Sequence, residues 1–301
     1  MEYPRIFKLR DAGREAATEY LRQRSVSTGN TEIDTVLEGG IEAGNYYLWM
    51  GSAKGGKSTT LRCLGMRLAE TFPVLYVNFE QLGRNVFAKI YQLRYNATFR
   101  EEVHADIDQT MANISRMPDI PFYIAFWADD MDEKSFNTTI RPKILESITY
   151  MRDNDPGKRI PIVIMENLSD IYNERVHGGD NLVNVVTQTA QDIKNFCIKH
   201  EVAMFLAHHS AKLAAGQKRP QMDDVRDSKR VVDLAHSIFV NFVREDVDKK
   251  TGEAISKTYH LAYLAGRGQS EYKEWEVKVN GLNMELCSTS QLYPRSMPPV
   301  R

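Results

Sequence analysis

Apolar residues along this chain form short continuous runs, separated by longer stretches in which they recur every three or four positions. Tyr46–Met50, Val74–Phe79, Phe122–Trp127, Ile160–Met165, Val202–Ala207, Ser237–Val243 and Thr258–Leu264 are runs of the first kind. Bounded by turn residues, they predict strands buried on both faces. Between them, Leu61, Leu64 and Leu68 share one face of a helix. Leu182, Val185, Val186, Thr189, Ile193, Phe196 and Cys197 fall at helical spacing along a longer one. Residues 82–117 read as mostly helical and polar, and Ile33, Val36 and Leu37 as a short helix between turns at Thr28–Asn30 and Gly39-Gly40. Tyr272–Val279 and Leu282–Leu286 flank Asn280-Gly281, a hairpin signal. The alternation predicts an α/β fold, a mainly parallel twisted sheet with helices on both faces and a C-terminal β-hairpin.

No repeat or linker interrupts residues 25–287, which are expected to form one core. A 1–24 extension precedes it, with a narrow amphipathic helix over Asp11–Arg24 that either covers its own domain or docks on a neighbouring subunit. Residues 288–301 hold three prolines and no periodicity, so a disordered tail is expected there.

Composition narrows the classes. The 301 residues are 42% hydrophobic and 26% charged, ordinary for a soluble globular protein. A net charge of −1 excludes a broadly basic surface, so any nucleic-acid contact has to come from local loops. Cys63, Cys197 and Cys287 are too far apart to suggest a disulfide framework or zinc knuckle. No apolar run approaches the roughly 20 residues of a membrane span, and no signal-peptide pattern opens the chain. A cytoplasmic protein without membrane contact is expected.

The chemistry concentrates at Gly51-Ser52-Ala53-Lys54-Gly55-Gly56-Lys57-Ser58-Thr59, which fits G-x-x-x-x-G-K-[ST] between a predicted strand and a predicted helix. Glycines let backbone N–H groups close round phosphates, and the helix N-terminus adds positive partial charge. Lys57 is placed to reach the β- and γ-phosphates and Ser58 to ligate magnesium. The predicted ligands are therefore ATP, or another nucleoside triphosphate, and Mg²⁺.

Three further strands end in polar residues: Val74–Phe79 at Glu80-Gln81, Ile160–Met165 at Glu166, and Val202–Ala207 at His208-His209. Carboxyl ends of strands in an α/β sheet are where ligands bind. Glu166 stands where a second magnesium-site carboxylate is expected. The run Asp129–Glu133 reads as a solvated loop and helix start. Two segments carry candidate basic groups, Asn173–Asp180 with Arg175 and His177, and Ala211–Arg219 with Lys212, Lys218 and Arg219. Solvated surface side chains are the competing reading of both.

The ordered set resembles the RecA-type P-loop ATPase core. Within that class it is most similar to the helicase domain of DnaB-type hexameric replicative helicases, and to the phage primase–helicase branch. Ser27-Thr28-Gly29 through Leu37-Glu38-Gly39-Gly40 resembles the family's entry to the core, and Glu166-Asn167-Leu168-Ser169-Asp170 its acidic Walker B segment. Arg219-Pro220 followed by Asp223-Asp224-Val225-Arg226-Asp227-Ser228 resembles the stretch after its DNA-binding loop.

The resemblance implies an ATP-driven, ring-forming translocase and DNA helicase. It makes Glu80 the group polarising the attacking water and Glu166 a holder of the magnesium shell. His208 becomes the γ-phosphate sensor, the choice between His208 and His209 resting on the family pattern. Arg267 becomes an arginine finger acting in a neighbour's site. Implied partners are single-stranded DNA, further copies of the chain in a hexameric ring, and a separate primase or loader. Two departures stand out: the family usually carries aspartate where Glu166 stands, and often lysine where Ala265 stands. A RecA-like recombinase or annealing ATPase, a KaiC- or RadA-like regulatory ATPase, and a non-catalytic ring remain alternatives.

Overall fold

The computed structural model describes residues 9–10, 25–52, 54–131, 135–154, 160–168, 171, 182–210, 220–221, 229–247, 254–266 and 272–288. The expected helix over Asp11–Arg24 and the tail after Ser288 lie outside them.

The strands are β1 (Tyr46–Gly51), β2 (Val74–Asn78), β3 (Phe122–Ile124), β4 (Ile162–Glu166), β5 (Ala203–His209), β6 (Ser237–Val247), β7 (Ala254–Gly266), β8 (Lys273–Asn280) and β9 (Asn283–Ser288). Among the described residues they form one nine-stranded sheet of order β3-β2-β4-β5-β1-β6-β7-β8-β9. The pairings from β3 through β6 are all parallel. Those from β6 to β9 are antiparallel. The carboxyl ends of β1, β2, β4 and β5 therefore share one edge.

The two faces of β1 show how the core forms. Tyr46, Leu48 and Met50 enter one apolar cluster, and Tyr47 and Trp49 the other. Strand side chains alternate in direction, so a strand buried on both faces needs apolar residues at every position. The second cluster is closed by α1 (Thr31–Val36), α2 (Lys57–Leu68) and α3 (Gly83–Tyr95), which contribute Ile33, Leu61, Leu64, Leu68, Val86 and Ile90. Two short helices follow, α4 (Phe99–Ala105) and α5 (Ile107–Ser115). On the first face lie α6 (Arg141–Asn154) and α7 (Leu182–His200), with Ile144, Ile148, Met151, Ile193 and Phe196 inward. Helix α8 (Lys229–Leu234) leads into β6. Gly65 lets α2 sit close on the sheet, since a Cβ there would lie 2.7 Å from Ile164 Cδ1 and 2.9 Å from Phe122 Cε2.

One expectation changes, and one helix is new. The run Phe122–Trp127 is a strand only to Ile124, and Phe126–Asp130 turns as a 3₁₀ helix. That bend brings the Asp129 carboxylate to the start of α3, where its two oxygens accept from Gly83 N at 2.8 and 3.0 Å. A carboxylate at a helix N-terminus satisfies an otherwise orphan amide. Asp129 thus caps a helix instead of standing in a solvated loop. Helix α6 was not foreseen from the sequence, because its periodic Ile144, Ile148 and Met151 sit among enough charge to hide the pattern.

A buried polar knot ties the phosphate loop to the sheet. Trp49 Nε1 donates to Asn241 Oδ1 at 2.6 Å, and the Thr60 hydroxyl contacts the same oxygen at 2.8 Å. Asn241→Leu leaves the indole N–H without that acceptor, which costs about 1–3 kcal/mol. The expected result is a lowered urea midpoint at unchanged m-value.

Candidate nucleotide site

The loop after β1 opens a cavity of about 610 Å³ at the carboxyl edge of the sheet. Ser52, Lys54, Gly55, Gly56, Lys57, Ser58 and Thr59 line one side. Gly51 ends β1, where a Cβ would come within 3.0 Å of Asn241 O. Ala53 lies outside the described residues. Gly56 is the N-cap of α2 at φ 89°, the left-handed region that glycine enters without strain, and a Cβ there would meet Tyr259 Cδ1 at 3.2 Å. The loop thus closes on the first turn of a helix whose free N–H groups and dipole attract anions.

Opposite the loop stand Glu80, Gln81 and His209. Asn78 organises this wall. Its carbonyl oxygen accepts from the N–H groups of Glu80 at 2.9 Å and Gln81 at 2.6 Å. Its amide donates to Glu166 Oε2 at 2.7 Å. Asn167 Nδ2 donates to Glu80 Oε1 at 2.7 Å, and His209 Nε2 lies 3.1 Å from the same oxygen. Two groups therefore aim one carboxylate.

These contacts keep Glu80 ionised. Its pKa falls from 4.5 to about 2, chiefly through the His209 hydrogen bond, with Asn167 and the nearby Lys57 charge adding to it and burial opposing. A folded pKa below the unfolded one gives stability above the unfolded value, lost as pH falls through the folded value. The stability difference between wild type and Glu80→Gln is thus expected to stay constant above pH 4.5 and to shrink between 4.5 and 2. Urea unfolding at stepped pH reads this, and a difference unchanged across that window would contradict the arrangement.

The two histidines are separated by strand alternation. His208 is wholly buried, whereas His209 lines the cavity. His208, the candidate named from the sequence, is thus buried in the sheet, and His209 is the histidine that stands at the cavity beside Glu80. Glu166 ends β4 beside Asn78 at 2% exposure and is not among the cavity-lining residues. Its Oε1 has no hydrogen-bond partner among the described residues.

Magnesium suits this donor set. Ser58 offers a hydroxyl in the cavity, Glu166 keeps one buried oxygen unengaged, and the ion ordinarily retains waters and substrate phosphates as its other ligands. Among the described residues no cluster of three acidic, histidine or cysteine side chains stands ready to cage a metal by itself. Arg175, His177, Lys212, Lys218, Arg219 and Arg267 lie outside the described residues.

Sequence reasoning passed over Asn78, Asn167, Tyr259 and Asn241. Asn78 and Asn167 were legible only as polar residues at strand ends, since their partners come from other strands. Tyr259 gave no signal within its own run.

The fold and this cavity define a P-loop nucleoside triphosphatase with a RecA-like core. The chain belongs to the AAA domain family, whose model matches residues 14–215. Its fold is shared with the ATPase domain of G40P, at TM-score 0.69 and 17% identity over 93% of this chain and 99% of that one. A DnaB-like replicative helicase, described with its interactions with primase, matches at TM-score 0.66 and 16% identity over 92% of this chain and 68% of its own. A KaiC-like protein of the hyperthermophilic archaeon Pyrococcus horikoshii matches at TM-score 0.56 and 14% identity, over 88% of this chain and 99% of that one. No curated protein matches the chain by sequence. Among the described residues no helix is long and apolar enough to cross a membrane.

Proposed function

We propose that this ATPase is a ring-forming motor that translocates on single-stranded DNA and unwinds duplex during replication. The observation that carries the reading is the 3.1 Å contact between Glu80 and His209. It links the hydrolytic edge to the end of β5, and the chain runs from there through Ser210 straight into the basic segment 211–219.

In this reading Lys57 holds the β- and γ-phosphates, and Ser58 holds magnesium with Glu166 acting through a water. The ion, when bound, neutralises charge developing on the phosphates. Glu80, already ionised and held by Asn167 and His209, accepts a hydrogen bond from the attacking water. Once the γ-phosphate leaves, His209 loses one of its neighbours and shifts, moving the segment with Lys212, Lys218 and Arg219. Arg175 and His177 complete a grip on phosphates of the strand, which requires no base recognition. Tyr259, Val277 and Val279 on the cavity's other wall offer an apolar platform for the base. Arg267 serves the neighbouring subunit's site, which makes a ring, a hexamer by likeness to the family, the working unit. A primase or loader is the further partner in this reading, as primase is for the DnaB-like helicase of similar fold.

The test is nucleotide hydrolysis with and without single-stranded DNA. DNA-stimulated turnover that falls with rising salt supports the motor. Turnover indifferent to DNA sinks it, and selects the regulatory reading that the KaiC-like fold also accommodates.

A further inference from the structure

A second cavity, of about 660 Å³, adjoins the nucleotide cavity and shares Thr59 and Val279 with it. It lies over one side of α2, walled by the C-terminal half of α3 and the tip of the β8–β9 hairpin. Three cationic side chains, Arg62, Lys89 and Arg94, line it, and no acidic residue does. Among the described residues, none of the three forms an ion pair with a carboxylate.

Arg62 is the informative member. It is 4% exposed, one helical turn beyond Ser58, and its Nε has no hydrogen-bond partner among the described residues. Its Nη2 donates to Gln81 Oε1 at 3.2 Å, a neutral acceptor on the wall of the nucleotide cavity. The buried Glu166 carboxylate gives one oxygen to Asn78, and the buried Tyr76 hydroxyl neighbours both that carboxylate and Arg62, with no ion pair between the two among the described residues. A buried guanidinium without a counter-ion is unfavourable unless an anion completes it. Its planar fork of donors suits phosphate oxygens. Lys89 and Arg94 are exposed at the rim, where they add charge and can close on a ligand. Among the described residues Lys89 donates to the neutral Gln92 Oε1, at 3.0 Å.

We infer that this cavity is a second anion site, specific for a small phosphoanion such as phosphate or pyrophosphate and distinct from the nucleotide cavity it adjoins. Arg62 forms its floor and Lys89 and Arg94 its rim. Because Arg62 also holds Gln81, occupancy is communicated to the nucleotide site through one side chain.

Calorimetric titration of the full chain with inorganic pyrophosphate, with and without a saturating non-hydrolysable ATP analogue, tests this. Wild type is expected to bind pyrophosphate in two classes, one blocked by the analogue and one surviving it. The double variant Lys89→Glu/Arg94→Glu, changed at exposed positions, is expected to lose only the surviving class while retaining wild-type circular dichroism. Arg62→Met is expected to weaken that class too, and the exposed pair keeps the test decisive if Arg62→Met fails to fold. Absence of a surviving class in wild type overturns the site, as does its persistence in the double variant. Displacement of the surviving pyrophosphate by a short oligothymidylate overturns the assignment to a small phosphoanion and points to nucleic-acid backbone. Loss of the class blocked by the analogue would instead count against the nucleotide site, so the two readings fail separately.

Discussion

Glu80→Gln is expected to lower turnover by about 10²–10⁴-fold, the range general-base and water-positioning groups contribute, with nucleotide affinity little changed. The amide keeps the size of the carboxylate and one oxygen able to accept from Asn167 or His209, so the wall of the cavity survives. What disappears is the negative charge. At pH 7 that charge is fully present, because the His209 hydrogen bond, assisted by Asn167 and Lys57, holds the group down to about 2. Single-turnover hydrolysis measured beside fluorescent-nucleotide binding separates chemistry from affinity. Preserved turnover would move the water-positioning role away from Glu80. Parallel loss of binding would mean that the substitution had disturbed the phosphate loop rather than the reaction.

Arg267→Ala is expected to reduce turnover by about 10³–10⁵-fold, the range over which a trans-acting arginine stabilises transferring phosphoryl charge. The diagnostic result comes from mixing. A ring containing both Arg267→Ala and Glu80→Gln subunits has some interfaces at which an intact Glu80 site faces an intact Arg267, so activity is partly restored although each variant alone is inactive. An arginine acting within its own subunit would give no restoration. Turnover indifferent to Arg267 would remove the strongest reason for a ring. Ala265 stands where the family often carries lysine, so part of the trans activation is expected to be missing or supplied elsewhere.

The sequence by itself determined the α/β class, the order of the strands along the chain, the phosphate loop and the polar residues at the strand ends. These are legible because each is local. A strand buried on both faces has to be apolar throughout, and a phosphate loop needs its glycines, lysine and hydroxyl within nine consecutive residues. The Asn280-Gly281 hairpin was legible for the same reason, since a tight turn demands its own residues.

Only the tertiary structure decided which of these residues meet. His208 and His209 are equivalent in the linear pattern. Alternation along β5 sends one into the core and the other to Glu80, and which face receives the phosphate-loop helix depends on how the whole sheet is wound. Asn78 gained its role from β4 lying beside β2, a pairing of residues 88 positions apart. Asn241 gained its role when β6 was placed against β1, bringing it to Trp49 from 192 positions away. The three cations of the second cavity come from two helices packed side by side on one sheet face, with the hairpin tip as the further wall. Contacts of that range arise from packing and strand order, which no local run of residues encodes.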